Sequence, residues 1–393
     1  MGLLGAGAAP AASGTTEPGL TVEHVVFLMR HGVRPPTSDP GRQEGFADLP
    51  WPSWSVPYGW LTNHGAAAIR LLGASDRAWL QDEGLLPRTG CPEPGTVTLA
   101  SDSEQRTVAT GDAWALALEP RCEIANQHPP ETVRDPLFTA SADKSDLDTH
   151  AANMSLLAQL GPDGIAGIDR QEQDALRTID HILCGARQAG CGLPDKSSRL
   201  EEPEPGKQAK VSGALSRGSN LAQILLLEYA DGKPMNEVGW GRASAADIAR
   251  VGSLHSTGFA LSARVPYVAQ RSFLALRERM RVSLDDGGPK VAMFVGHDGT
   301  VSSLGGLLGL HWSVPGFAAD DPAPGGALVF ETVRDGSGNR FVRAFYRSHT
   351  LEQIRNLSPD APFWQPLPIA GCGSAPLLLC PKATFDQLLA RKS

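Results

Sequence analysis

Short continuous apolar runs and longer stretches of helical period divide the chain between them. His24-Val25-Val26-Phe27-Leu28-Met29 is rich in β-branched and apolar residues and is bounded by Gly and Pro. A run of that kind predicts a strand buried on both faces of an α/β sheet. Thr96-Val97-Thr98-Leu99-Ala100 and Lys290-Val291-Ala292-Met293-Phe294-Val295-Gly296 predict two more strands. Leu328-Val329-Phe330-Glu331 and Phe341-Val342-Arg343-Ala344-Phe345 flank the turn sequence Asp335-Gly336-Ser337-Gly338-Asn339. They predict a hairpin that closes one edge of the sheet. Thr62 is the expected cap of a helix of about 20 residues, with Ile69, Leu72 and Leu80 on its apolar face and a stop at Gly84. Ser101-x-x-Glu104 predicts a capping box that opens another helix.

From residue 135 to 265 the period is helical, as in Leu176, Ile179 and Leu183 and in the run from Leu215 to Tyr229. No strand pattern stands out there, and the charged, Pro-containing segment Lys196 to Lys210 reads as a surface loop. The expected fold is α/β, a mostly parallel sheet flanked by helices. That α/β body is expected over residues 21–134 and 266–393, with 135–265 as a smaller, mainly helical inserted cap. Residues 1–20 are small and flexible in character. They lack the basic start and full apolar core of a complete signal peptide.

The chemistry gathers where the apolar runs end. Arg30-His31-Gly32-Val33-Arg34-Pro35-Pro36-Thr37 follows the first run directly. Ligands of open α/β sheets bind outside the carboxyl ends of the strands. Two guanidinium forks in one turn suit a tetrahedral oxyanion such as phosphate. An imidazole between them can attack phosphorus. Gly32 is expected to let the backbone approach the ligand. Arg106 falls in the first turn of its helix, where a cation is unfavourable unless an anion sits there too. His297-Asp298 ends the run from Lys290. Parallel strands bring their ends to one edge, so these groups are expected to converge. Glu23 and Asp102 are further carboxylates near strand ends. The Pro- and Trp-rich stretch 38–58 is expected to line the pocket.

The net charge of -8 sets limits on partners. With a pI near 5.7, a global nucleic-acid surface is excluded, and any anion site is a local basic pocket. No run approaches the roughly 18 apolar residues of a membrane helix. Six cysteines (Cys91, Cys122, Cys184, Cys191, Cys372 and Cys380) include no CxxC, so zinc spacing is absent. Their even number in Gly- and Pro-rich loops favours disulfides and an oxidising compartment. The pairing is open on residue chemistry alone.

Arg30-His31-Gly32-Val33-Arg34-Pro35-Pro36 resembles the Arg-His-Gly-x-Arg-x-Pro signature of the histidine acid phosphatases. Asp102, Arg106 and Thr107 match an Asp-x-x-x-Arg-Thr element of that family, and His297-Asp298 matches its His-Asp pair. The resemblance runs from about Val25 to Cys380 and is nearest to the bacterial phytase and glucose-1-phosphatase branch. It also covers Gly59-Trp60-Leu61-Thr62, Gly239-Trp240-Gly241, Pro324-Gly325-Gly326 and Ala370-Gly371-Cys372. It implies a phosphoglycerate mutase-like fold with a helical cap, and disulfides Cys91–Cys122, Cys184–Cys191 and Cys372–Cys380. It implies that His31 forms a phosphohistidine and that Arg30, Arg34, Arg106 and His297 hold the phosphoryl oxygens. Asp298 then protonates the leaving alcohol, with no cofactor and no metal. Thr37, Ser38, Asp102, Gln223 and Thr300 are candidate substrate-pocket residues.

Some positions depart from the phytase pattern. Gly299-Thr300 replaces Thr-Asn after the His-Asp pair, Ser38 stands where many phytases have Lys, and Gln223 stands at an acidic position. These departures argue for breadth over strict inositol hexakisphosphate specificity. The expected protein is a monomeric, periplasmic or secreted acid phosphomonoesterase acting on a small phosphorylated substrate. The competing functions are a mutase-like phosphotransferase on the same fold and a non-catalytic phospho-ligand binder.

Overall fold

The computed structural model describes residues 19–43, 47–139, 147–185, 190–372 and 378–391. The N-terminal segment 1–20 lies outside these apart from Gly19 and Leu20. In chain order the first elements are β1 (Leu20–Arg30), α1 (Pro40–Gln43), α2 (Asn63–Asp82), β2 (Val97–Ser101), α3 (Gln105–Leu118) and β3 (Asn126–Gln127). A helical stretch follows: α4 (Thr149–Leu160), α5 (Gly164–Gln171), α6 (Gln173–Cys184), α7 (Ala214–Ala230) and α8 (Ala245–Ala260). It is broken by the short strands β4 (Arg199–Leu200) and β5 (Val211–Ser212). Then come α9 (Pro266–Arg271), α10 (Leu274–Ser283), β6 (Val291–Gly296), α11 (Asp298–Leu308), β7 (Ala327–Asp335) and β8 (Arg340–Ser348). The chain closes with α12 (Leu351–Asn356), β9 (Phe363–Leu367), β10 (Cys380–Pro381) and α13 (Lys382–Ala390).

The main sheet has the order β10-β8-β7-β1-β6-β2-β3, with β9 paired to β8. Strands β1, β6, β2 and β3 are mutually parallel, and β7 joins β1 antiparallel. Side chains of β1 alternate between two cores. Val26 and Leu28 face the larger one, which the helices α6, α7 and α8 share, and Val25, Phe27 and Met29 face the one under α2 and α3. Helices on both faces make a continuous apolar strand the stable choice here.

Helix α2 starts where expected, with the Thr62 hydroxyl accepting from Gly65 N. Three expectations need correction. The hairpin β7–β8 forms, but β7 lies beside the central β1, so the edge belongs to β9 and β10. Apolar period identifies a strand without giving its place in the sheet. The helical stretch contains the β4–β5 ladder, within the Lys196–Lys210 segment and just beyond it. The capping box at Ser101 does not form, because Ser101 still belongs to β2 and its hydroxyl donates to Asn126 Oδ1. The helix cap is Glu104, without a side-chain cap bond.

The loop before α2 ties this body to the helical stretch. Trp240 Nε1 donates to Pro50 O, the Trp51 and Trp240 rings lie 4.8 Å apart, and Arg242 pairs with Asp48. Trp240 thus packs against a loop of the α/β body. The cysteines pair as Cys91–Cys122, Cys184–Cys191 and Cys372–Cys380. No helix among the described residues is long and apolar enough to cross a membrane.

Candidate active site

The parallel strands bring their carboxyl ends together through backbone bonds that continue past the strands themselves. His31 N donates to Gly296 O, Asp102 N to Val295 O, and Gly325 N to His31 O. The residues that follow β1, β2 and β6 therefore stand side by side, and the His31 and His297 rings are 5.6 Å apart. Gly32 serves packing here. A Cβ at this position would lie 2.8 Å from Leu61 Cδ1 and 3.0 Å from Ile69 Cγ1. Its role is close approach to α2, where the sequence suggested approach to a ligand.

His31 is 1% exposed, and its Nδ1 lies 2.8 Å from Gly32 O. A carbonyl only accepts, so Nδ1 carries the proton and the lone pair sits on Nε2. Arg34 Nε points at that nitrogen from 3.4 Å. Burial, then the charges of Arg34, Arg30 and Arg106, hold the imidazole well below the usual histidine range. Burial is the largest of these causes, ahead of the like charges.

His297 is pulled the other way. Its Nε2 lies 2.9 Å from Asp102 Oδ2 and 2.8 Å from Glu104 Oε2, and Arg106 Nη2 is 3.5 Å from its Nδ1. Burial lowers its pKa, but the bonds to Asp102 and Glu104 more than offset this and leave it raised. His297 in turn holds the Glu104 carboxyl down to about 2. The ligand-type atoms of Asp102, Glu104 and His297 lie within 4.8 Å of one another, so these are the residues that could hold a cation. Their mutual hydrogen bonds already account for the arrangement.

Asp298 opens α11 with its Oδ1 accepting from Gly299 N. Its Oδ2 is 3.0 Å from Arg30 Nη2. Burial raises this carboxyl, yet Arg30, His255, His31 and Arg34 outweigh it and hold the group far below the usual carboxylate range. Arg30 is fully buried and also donates to Gln223 Oε1 at 2.7 Å. The Gln223 amide nitrogen is 3.0 Å from His255 Nδ1, which lies 2.7 Å from Asp321 Oδ1.

A pocket of about 710 Å³ opens over these groups, lined by Arg34, Thr37, Ser38, Gln223, His255 and Asp298 among others. The structure thus brings together Arg30, His31, Arg34, Arg106, His297 and Asp298, with Thr37, Ser38 and Gln223 at the pocket wall. Asp102 lines a separate hollow of about 340 Å³ beyond His297. Thr300 is 2% exposed, and its hydroxyl accepts from His297 N, so it braces the turn from below. Glu23 lies at the amino end of β1, paired with Arg334 and Arg340, far from the site. Sequence reasoning missed Glu104, His255 and Asp321. Glu104 had a signal in its spacing from Asp102, whereas His255 and Asp321 belong to no motif.

Comparison with known proteins agrees with this geometry. Residues 21–167 match the family model of the histidine phosphatase superfamily (branch 2). The chain is 32% identical to phytase AppA of Escherichia coli (strain K12), over 95% of this chain and 92% of that protein. It is 28% identical to a glucose-1-phosphatase of Salmonella typhimurium, over 95% and 93%. Among solved structures, Hafnia alvei phytase in complex with myo-inositol hexakis sulphate superposes with a TM-score of 0.86 at 31% identity, covering 95% of this chain and 98% of that one. Likeness sustained along nearly the whole of both chains, on the fold that carries those strand ends, makes this protein a member of the histidine phosphatase superfamily, branch 2, as a histidine acid phosphatase.

Proposed function

We propose that the protein hydrolyses small phosphate monoesters at acid pH, with His31 as nucleophile and Asp298 as general acid. The observation that carries this reading is the placement of the His31 ring, whose contacts imply its tautomer. Its Nδ1 is committed to Gly32 O, and its unprotonated Nε2 faces the Arg34 guanidinium. Phosphoryl transfer needs positioning and charge stabilisation above all. Arg30, Arg34, Arg106 and a cationic His297 supply that charge. Nε2 attacks phosphorus as the ester P–O bond breaks, and the leaving oxygen takes a proton from Asp298. Water then attacks the phosphohistidine, gives a proton back to Asp298, and the P–N electron pair returns to His31. This double displacement ends in release of phosphate, and nothing in the pocket favours the mutase reading.

The pocket wall sets the substrate class. Thr37, Ser38 and Gln223 are neutral, and among the described residues the basic side chains at the wall are Arg34, Lys210 and His255. That lining suits a leaving group bearing hydroxyls better than one bearing many phosphates. We propose broad use of sugar phosphates, with inositol hexakisphosphate accepted but not strictly preferred. Residues 135–265 act as the cap that closes the pocket over the catalytic domain of 21–134 and 266–393. Three disulfides support a periplasmic or secreted location, and we take the enzyme to be a monomer. A panel of p-nitrophenyl phosphate, glucose 1-phosphate and phytate at acid pH tests the reading. Comparable specificity constants for the sugar ester and phytate are expected. A phytate constant far above all simple esters would refute the substrate class.

A further inference from the structure

A general acid must carry a proton when the ester bond breaks, yet the surroundings of Asp298 keep it ionised in the free site. Arg30 contacts it at 3.0 Å, and the His255 and Arg34 side chains add to the same field. A phosphate dianion changes that balance. It engages the guanidiniums and places new negative charge beside the carboxylate, which favours protonation of Asp298 as substrate binds. The proton needs a source one transfer away.

We infer that His255, braced by Asp321, is the positioning residue that loads Asp298 with the proton given to the leaving alcohol. The inference rests on the reading of Asp298 as general acid. His255 is 7% exposed and lies on α8, remote in sequence from every motif. Its two nitrogens face two carboxylates. Nδ1 is 2.7 Å from Asp321 Oδ1, and Nε2 is 4.0 Å from Asp298 Oδ2. Asp321 is itself fully buried, and its second oxygen has no partner among the described residues. It supplies a buried counter-charge on the side away from the substrate, so a proton on Nε2 is aimed at Asp298. The Gln223 amide packs against the same ring with its oxygen on Arg30, and the Phe259 ring lies 4.7 Å from the imidazole. Asp321, Gln223 and Phe259 therefore fix this ring. The 4.0 Å gap is longer than a hydrogen bond, as catalytic contacts in free sites often are.

The proton balance is complete. His255 Nε2–H passes its proton to the Asp298 carboxylate when the dianion binds. Asp298 gives it to the ester oxygen as that P–O bond breaks and the His31 Nε2–P bond forms. In the second half, water's proton goes to Asp298 and back to His255, whose charge is restored.

The test uses the whole enzyme and the phosphorylation half-reaction, with p-nitrophenyl phosphate and glycerol 2-phosphate as probes. In His255→Asn, the alkyl ester should lose about 10²-fold or more in that step, and the aryl ester roughly threefold or less. The alkaline limb of the alkyl-ester profile should move at least about one pH unit lower, because Asp298 must now find its proton unaided. Asp321→Asn should move the same limb by a smaller amount, and it decides the matter if His255→Asn does not fold. The aryl-ester burst reports a folded, phosphorylatable site in each variant. Equal losses for both esters with an unmoved limb would overturn the proton-loading role and leave a packing role. A wild-type enzyme that forms no phosphohistidine would overturn the parent reading, and the relay with it.

Discussion

Replacing Asp298 with Asn should tighten phosphate binding while it disables turnover of poor leaving groups. Arg30 keeps Gln223 Oε1 as a partner at 2.7 Å when the carboxylate is gone, so the proposed phosphate cradle survives. What disappears is a negative charge 3.0 Å from that guanidinium. Taking a phosphate oxygen on that guanidinium to lie about 5 Å from the carboxylate, repulsion per unit charge would be ~3 kcal/mol at an effective dielectric constant near 20 and under ~1 kcal/mol in bulk water. The Asp298 side chain is 22% exposed, which favours an intermediate value. Taking about 1.4 kcal/mol, inorganic phosphate should bind roughly tenfold tighter to the variant. The same substitution removes the proposed proton donor. p-Nitrophenolate leaves without one, and an alkoxide does not. The phosphorylation step for glucose 1-phosphate should fall by about 10²–10⁴-fold, while that for p-nitrophenyl phosphate largely survives. Calorimetry gives the first quantity, and burst kinetics isolate the second from dephosphorylation. Weaker phosphate binding together with equal loss for both esters would refute the reasoning, and Asp298 would then be a positioning group.

Two further outcomes follow from the same side chains. His297 has a raised pKa in the folded protein, so its cationic form is fully present at acid pH and is lost as pH rises through that folded value. Asp102→Asn removes one charge-assisted bond, so the alkaline limb of kcat/KM should shift down by about one pH unit for aryl and alkyl esters alike; a shift confined to alkyl esters would contradict the assignment of His297 to phosphate binding. The disulfide Cys91–Cys122 closes a sequence separation of 31 residues. Its removal as Cys91→Ser/Cys122→Ser should destabilise the fold by about 3 kcal/mol in chemical denaturation, with acid phosphatase activity retained below the new transition.

The parts of the site that lie next to strands were legible in the sequence, and the parts that depend on contact with the helical stretch were not. Arg30, His31, His297 and Asp298 follow continuous apolar runs, and runs that short and apolar, bounded by Gly or Pro, favour strands covered on both faces. Parallel pairing of β1, β6 and β2 then brings their ends to one edge. Strand order is another matter, since it is set by crossovers that leave no periodic trace, and the hairpin was misplaced for that reason. The ladder of Arg199–Leu200 with Val211–Ser212 is two residues long on each side, too short to show alternation. Ser101 and Glu104 had the spacing of a capping box, but Asn126 takes the hydroxyl. His255 and Asp321 lie on α8 and in the segment before β7, and only the tertiary fold sets them at 2.7 Å. Thr300 shares its stretch with the His-Asp pair, yet helical phase turns it into the core.

The central claim is that phosphate passes through His31. Rapid acid-free quench after mixing enzyme with ³²P-labelled p-nitrophenyl phosphate, followed by peptide mapping, tests it most directly. The expected product is one alkali-stable, acid-labile phosphate per chain on the peptide that contains His31, attached at Nε2 and absent from His31→Ala. Label on another residue, or an adduct that persists in His31→Ala, would contradict the account.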